Sequence, residues 1–468
     1  MKNKFSLLLS SIALLSVIIS CSEDDNGGEV YVPLEITTQQ DVVQVSTLST
    51  VEIDIFNNDT NIPQDGILTI TAPTNGAATI NNNQSTNDVR DDVVTYDPSQ
   101  NFTGQDSFQY TICLNDGTNC KTAIVSIDVF NETPVTLDLG SFPYNTLSEY
   151  NFFSGNITDV QAAYGVLKYE PITPLFTDYA EKDRYLWIPP GQKASYIADN
   201  KSLDFPTGSA LIKVFYYNNV VNDAVLPNNS TRIMETRVMV KMDSGWEFAE
   251  YIWNDDQTEA FLDKTGDGGF KETEWIRNGE TRFVNYRFPA MSQCTICHNT
   301  GSFTPLGIKP ESINSEIVYE DGIQNQLQKM IDFGYLENSL PSTITTVADW
   351  TDMSAPLEER MRAYIDINCG NCHQDGGQGD YRGIRLSYTD TNNLDNLGVC
   401  IDADTPIPGL TGQKLIAPMD INNSIIYFRM AVEGDGQYKM PQFGQSLAHP
   451  EGLALMEDWI NSLTEDCD

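Results

Sequence analysis

Histidine is nearly missing from this sequence: there are three in 468 residues. So few imidazoles leave no Ser-His-Asp set and no zinc cluster to be found, and each histidine present becomes informative. Basic residues are also few, 27 Lys and Arg against 66 Asp and Glu, for a formal charge of −39. Such a chain repels nucleic acid and anionic membrane faces and favours solubility and cationic partners. The plain reading of that charge is the solvated acidic surface of an exported protein. No glycine-rich loop of the kind that cradles phosphate occurs. Apolar runs are short as well; residues 5–19 fall below the roughly 20 needed to span a bilayer, so the chain is expected to be anchored rather than spanning.

The beginning of the chain reads as an address. Met1-Lys2-Asn3-Lys4 is a basic start to the apolar run, which ends Val17-Ile18-Ile19-Ser20-Cys21. That ending resembles a bacterial lipobox. The resemblance implies a signal peptide over residues 1–21 and a lipidated Cys21 as the first mature residue; the alternative is an ordinary secretory signal cut elsewhere. Ser22-Glu23-Asp24-Asp25 follows directly and resembles the surface-export signal of Bacteroidetes lipoproteins. This implies an outer-membrane lipoprotein exposed at the cell surface, with the periplasmic face as the alternative.

Two of the three histidines close pentapeptides of identical spacing, Cys294-Thr295-Ile296-Cys297-His298 and Cys369-Gly370-Asn371-Cys372-His373. C-x-x-C-H is the spacing at which two thiols reach the two vinyl groups of a haem while the next imidazole comes under the iron. One such pentapeptide alone is compatible with a redox cysteine pair or half a zinc site. Two of them, using two of three histidines, predict two covalently bound haem c groups. Cys294, Cys297, Cys369 and Cys372 would form the thioethers, and His298 and His373 would ligate the irons. Of nine cysteines, Cys113, Cys120, Cys400 and Cys467 then remain. Cys113 and Cys120 flank a turn between two alternating runs and are expected to pair across a hairpin in an oxidising compartment. Cys400 and Cys467 are left to each other by elimination.

At this length two or three cores are expected. Residues 22–35 are a polar tether. Residues 36–130 are short alternating runs broken by turn residues, which predicts an all-β sandwich. Tyr96-Asp97-Pro98 and Phe102-Thr103-Gly104 before Ser107–Tyr110 resemble the cadherin-like or immunoglobulin-like repeats of bacterial surface proteins, modules that serve mostly as spacers. After a linker at 131–134, residues 137–289 are again β-rich. Their aromatics (Tyr169, Phe176, Tyr179, Tyr185, Trp187, Phe205) are expected in the core rather than on a carbohydrate platform. Residues 263–274 faintly resemble a calcium loop, but Thr265 breaks the pattern and a hairpin turn is the better reading. Residues 290–350 carry the first pentapeptide, and residues 351–468 carry the second. Helical spacing is evident at 325–334, 356–367 and 450–463.

A helix entering C-x-x-C-H, a Met-Pro loop and a closing helix with an aromatic resemble small monohaem cytochrome c. That resemblance implies a mainly α C-terminal region in which Met440, beside Pro441, supplies a thioether to the second iron. For the first iron the distal candidates are Met330, Met353, His449 or no protein ligand at all. From about residue 147 onward the chain also resembles a family of exported bacterial dihaem c-type cytochromes. The matching text includes Leu175–Ala180 with Lys182 and Arg184, Asp204–Gly208, both pentapeptides, Asn325–Leu327 and Arg362–Tyr364. Membership would imply electron transfer between redox partner proteins of unstated identity. The alternative is a haem enzyme, peroxidase-like or another oxidoreductase, whose substrate is bound by the middle β domain.

Overall fold

A computed structural model describes residues 35–467 apart from 48, 83–86, 100–101, 131–132, 299–303, 411–412 and 435. Cys21, the tether before residue 35 and half of the linker therefore lie outside the described residues. The N-terminal unit is a two-layer β-sandwich. Its strands are β1 (Asp41–Ser46), β2 (Val51–Ile53), β3 (Ile67–Ile70), β4 (Gly76–Asn81), β5 (Val93–Pro98), β6 (Gly104–Cys113) and β7 (Lys121–Phe130). One sheet runs β1-β7-β6-β3 and the other β2-β5-β4, with β1 parallel to β7. Alternation along β6 and β7 turns Phe108, Tyr110, Ile112, Val125 and Ile127 inward, which is what a half-buried strand requires. Cys113 and Cys120 form a disulfide at the β6–β7 hairpin.

An eight-stranded sheet makes the middle of the molecule: β8 (Leu167–Lys168), β9 (Glu181–Trp187), β10 (Ala210–Val221), β11 (Ser230–Met242), β12 (Gly245–Trp253), β13 (Ala260–Leu262), β14 (Gly269–Arg277) and β15 (Glu280–Phe288). The first half of β10 lies between β9 and β11, whereas Val220 and Val221 pair with β14. Register shifts in β10 at Phe215/Tyr216 and Tyr217/Val220 divide the two pairings, as bulges commonly do. One face carries Ile212, Val214, Val238, Val240 and Tyr251 into a core with Tyr150, Tyr185 and Trp187. Of the six aromatics expected in the core, Tyr185 and Trp187 are buried there, Tyr169 and Phe205 beneath the opposite face and Phe176 against His449, while Tyr179 is half-buried. At residues 263–268 the Asp263 carboxylate accepts from Thr265 N, Gly266 N and Gly268 N. Glu274 lies on β14 and accepts from Asn222 Nδ2. The expected hairpin turn is not what forms: the stretch is a loop closed on its own backbone by Asp263 that crosses from β13 to β14, which do not pair with each other.

The remaining elements are α1 (Met291–His298), α2 (Pro310–Ile313), β16 (Glu316–Tyr319), β17 (Gly322–Asn325), α3 (Gln326–Asp332), α4 (Leu357–Ile365), α5 (Leu394–Leu397), α6 (Ile425–Ala431) and α7 (Pro450–Ser462). Residues of the 290–350 segment, among them Ile308, Ile313, Leu327, Met330 and Leu336, share a core with Leu186, Leu211 and Trp246 of the middle sheet. The segment is thus an annexe of that sheet. The last hundred residues have a helical core in which Met361, Tyr364 and Ile365 of α4 meet Leu455, Met456, Trp459 and Ile460 of α7. The crossing is close because position 452 has no side chain: a Cβ there would collide with the Tyr364 hydroxyl. A Cys400–Cys467 disulfide fastens the end of the chain to this core.

Two adjoining cysteine-histidine clefts

Each pentapeptide opens on a cleft. The second begins where α4 widens into a π-helical turn over Asp366–Gly370 and delivers Cys369, Cys372 and His373. The cleft encloses about 1270 Å³ of non-atom space, part of it open to solvent. Leu386, Ile425, Met430, Met440 and Phe443 line it, with Arg382 and Arg429. The first cleft is bounded by Cys294, Cys297 and His298 of α1 on one side and by the β10–β12 face of the sheet on the other, and encloses about 1330 Å³.

The two clefts share a wall. Cys297, Asn368, Cys372, Pro441 and Phe443 line both of them. Across it the Cys297 and Cys372 sulfurs stand 4.0 Å apart. Burial pushes the Cys294 thiol up to about 11 and that of Cys369 to about 12, whereas the hydrogen bond with Cys297 draws Cys372 down. The hydrogen bond to Cys372, then burial, raises Cys297 further.

Both imidazoles are held neutral. Burial, followed by the charge of Lys213, pulls His298 down to about 3, and burial followed by Arg382 pulls His373 down to about 4. A neutral imidazole keeps a lone pair for a metal, provided its other nitrogen is oriented. In His298 the Nδ1 atom lies 2.9 Å from the Thr304 carbonyl, the second-shell partner that would leave Nε2 free, and its ring meets Phe248 edge-on at 4.9 Å. In His373 the buried Nδ1 has no partner. Gly379 makes room beside it, since a Cβ there would come within 2.7 Å of that nitrogen.

Met440 sits on a loop that serves both clefts, and the loop is tied down. The Asp178 carboxylate accepts from Ser446 N (2.8 Å), Ser446 Oγ (2.7 Å) and Leu447 N (2.8 Å). Asp178 is buried and left-handed, with φ of 50°, and its own carbonyl accepts from the Tyr217 hydroxyl at 2.8 Å. Sequence reasoning had placed Leu175–Ala180 in a matching motif without giving it a task. Leu175, Phe176 and Thr177 line the first cleft, and Asp178 anchors the Met440 loop.

None of Met330, Met353 and His449, expected as distal ligands at the first pentapeptide, reaches its cleft. Met330 is buried in the core beneath the sheet, Met353 is 77 % exposed, and neither lines a cleft. His449 is neither a surface residue nor at a cleft. It stacks on Phe176 at 4.0 Å, its Nδ1 lies 2.9 Å from the Tyr364 hydroxyl, and Trp350 and Tyr179 close the box. The thioethers that do line the first cleft are those of Met239 and Met291. Met239 was invisible in the sequence because its position depends on strand register, where Leu211, Met239 and Phe248 align across β10–β12. Among the described residues, no group of three or more His, Cys, Asp or Glu could hold a metal ion by itself.

Curated proteins give no match to this chain. A family described as a bacterial Ig domain matches residues 33–128, so the N-terminal sandwich is similar to the Ig modules of bacteria.

Proposed function

We propose that this protein is a dihaem c-type cytochrome that passes single electrons between redox partner proteins, exported as a lipoprotein through Cys21 to the outer membrane or cell surface. The observation that carries it is the pair of clefts, each with two cysteines and one neutral histidine on its rim, meeting at the 4.0 Å approach of Cys297 and Cys372. Their residues fit the group: thiols for two thioethers, an oriented or orphaned imidazole for the iron, and apolar walls for a porphyrin face. Bound haem would supply a one-electron couple. The chain would attach it through Cys294 and Cys297 at one cleft and Cys369 and Cys372 at the other. It would present His298 and His373 as proximal ligands and Met440 as the thioether at the second cleft. A thioether opposite imidazole favours the ferrous state and raises the potential, which suits a carrier. The apolar residues that line the cleft with Met440 would give that side an apolar wall. The Ig-like unit would act as a spacer. Among the described residues no helix is long and apolar enough to cross a membrane, and the lipid anchor would hold the protein there.

The test is pyridine haemochrome spectroscopy with intact mass on protein matured in a host competent for cytochrome c. Two haems that survive acid extraction are expected. Colour released into organic solvent, or a mass no greater than the processed chain plus lipid, overturns the reading. A haem enzyme remains the second reading, favoured by the polar floor of the first cleft. A high-spin ferric band that shifts with peroxide or cyanide would support it over a carrier with two low-spin haems.

A further inference from the structure

The floor of the first cleft is charged, although this is a part of a sheet where apolar residues would be expected. Lys213 pairs with Arg184 on β9 and with Arg237 on β11, and Arg237 pairs with Glu250 on β12. Cross-strand partners share a face, so these four form one row. Ile212 and Val214 point into the opposite core, which fixes the row on the cleft side. Lys182, Lys213, Arg237 and Glu250 line the cleft together with Thr177.

The row is unbalanced. Glu235 takes a bidentate contact from Arg237, at 2.6 and 2.9 Å, and a hydrogen bond from the Tyr286 hydroxyl. Burial and the neighbouring Glu235 push Glu250 up to about 10, so it is a neutral acid. Lys182, Lys213 and Arg237 thus line the cleft against one ionised carboxylate, Glu235, and of these Lys182 Nζ also donates to the Leu175 and Ala180 carbonyls. Burial, then Arg184 and Arg237, draws Lys213 down to about 7, the behaviour of an amine lacking a counter-anion. Two buried oxygens at the cleft, Thr177 Oγ1 and Glu250 Oε1, have no hydrogen-bond partner, and their residues are 7 % and 3 % exposed. The one proton of the Glu250 acid is held by its hydrogen bond to Glu235, whereas ammonium, guanidinium and hydroxyl groups can all donate. Their common complement accepts only, and carries negative charge.

We propose that this floor is a binding site for a carboxylate or other small oxyanion, held by Lys213 and Lys182 with Thr177 as a further donor. The anion is either a propionate of a porphyrin attached at Cys294 and Cys297 or a small anion from solution. The first source rests on the haem reading above, and the second does not.

The test compares full-length holoprotein with its Lys213→Gln and Lys213→Arg variants, checking haem content by intact mass. Spectroelectrochemistry reads both potentials, and acetate and sulfate are titrated at constant ionic strength. If the anion is a propionate, Lys213→Gln lowers one potential and leaves the other, Lys213→Arg restores it, and added anions have no saturable effect. If the anion is soluble, acetate or sulfate binds saturably, and Lys213→Gln weakens it about tenfold, as loss of one charge-assisted hydrogen bond should. Potentials unmoved by Lys213→Gln, with no saturable anion binding, overturn the proposal. Should Lys213→Gln fail to load haem, Lys182→Gln and the wild-type titration give the same readings. A wild-type chain that carries no haem refutes the cytochrome reading, while sulfate calorimetry on that chain still decides the anion site.

Discussion

Cys294–His298 sits on α1, a helix with no buried residue, laid against a charged face of an antiparallel sheet. Cys369–His373 follows α4, whose apolar side is locked into α7, and it opens on a mainly apolar cleft with a thioether on a clamped loop. Identical spacing has been placed in two different solvents. A cofactor held at the first site would meet cations and acids, and one at the second would meet aliphatic side chains and sulfur. The pentapeptide decides what can be attached, and the surrounding elements decide what the attached group can do.

That contrast can be broken most directly by removing each attachment site. Cys369→Ser with Cys372→Ser should delete one haem from the intact mass and lower the thermal midpoint by roughly 10 °C or more, since ligand-linked stability in the helical core is lost. Cys294→Ser with Cys297→Ser should delete the other with a smaller thermal loss; equal losses would show that the two clefts are equally built into their domains. Next, Met440→Ala should lower only one of two redox waves, by an appreciable fraction of the roughly 0.8 V that axial ligands command. Movement of both waves, or neither, would remove Met440 from the second cleft's chemistry.

The clamp on that loop should come third. Asp178→Ala leaves three donors without a carboxylate and should cost about 3 kcal/mol in denaturant unfolding. It should also weaken the spectral signature of thioether ligation while sparing the first haem. An unaltered signature would make Asp178 a purely structural tie.

His449 offers a subtler probe of the seam between the two regions. Burial draws it down from 6.5 to about 4, so the folded protein binds its proton less readily than the unfolded chain. Its contribution is complete above pH 6.5 and is lost as pH falls towards 4, by about 2 kcal/mol at pH 5. His449→Phe should flatten the fall in thermal midpoint between pH 7 and 5, and an unchanged slope would exclude His449 as its source. Finally, mild oxidation of chain made without haem should yield a Cys297–Cys372 cross-link by peptide mapping. Cross-links only within each pentapeptide would mean that the two clefts do not meet at those sulfurs.

Local patterns were legible from the chain. Alternation located β6, β7, β10, β11 and β12, and the apolar spacing of α4 and α7 was visible because period 3.6 or 2 is written in consecutive residues. The candidates for the first iron were misplaced for the opposite reason. Met330 and Met353 are suggested by lying downstream of the first pentapeptide and His449 by being the remaining histidine, whereas Met239 and Lys213 reach the first cleft through strand register. A one-residue slip would have turned both into the opposite core.

The sequence by itself determined the local pattern on which the haem proposal rests: two thiols and an imidazole within five residues, which need no distant partner to be recognised. It also determined the alternation that builds the sheets, since a side-chain period of two is a local property. Only the tertiary structure decided that the two pentapeptides stand back to back, that Asp178 holds the Met440 loop, and that a row of cations lies beneath the first. Those facts depend on contacts between residues far apart in the chain, set by how whole elements pack, and no short stretch of residues encodes them.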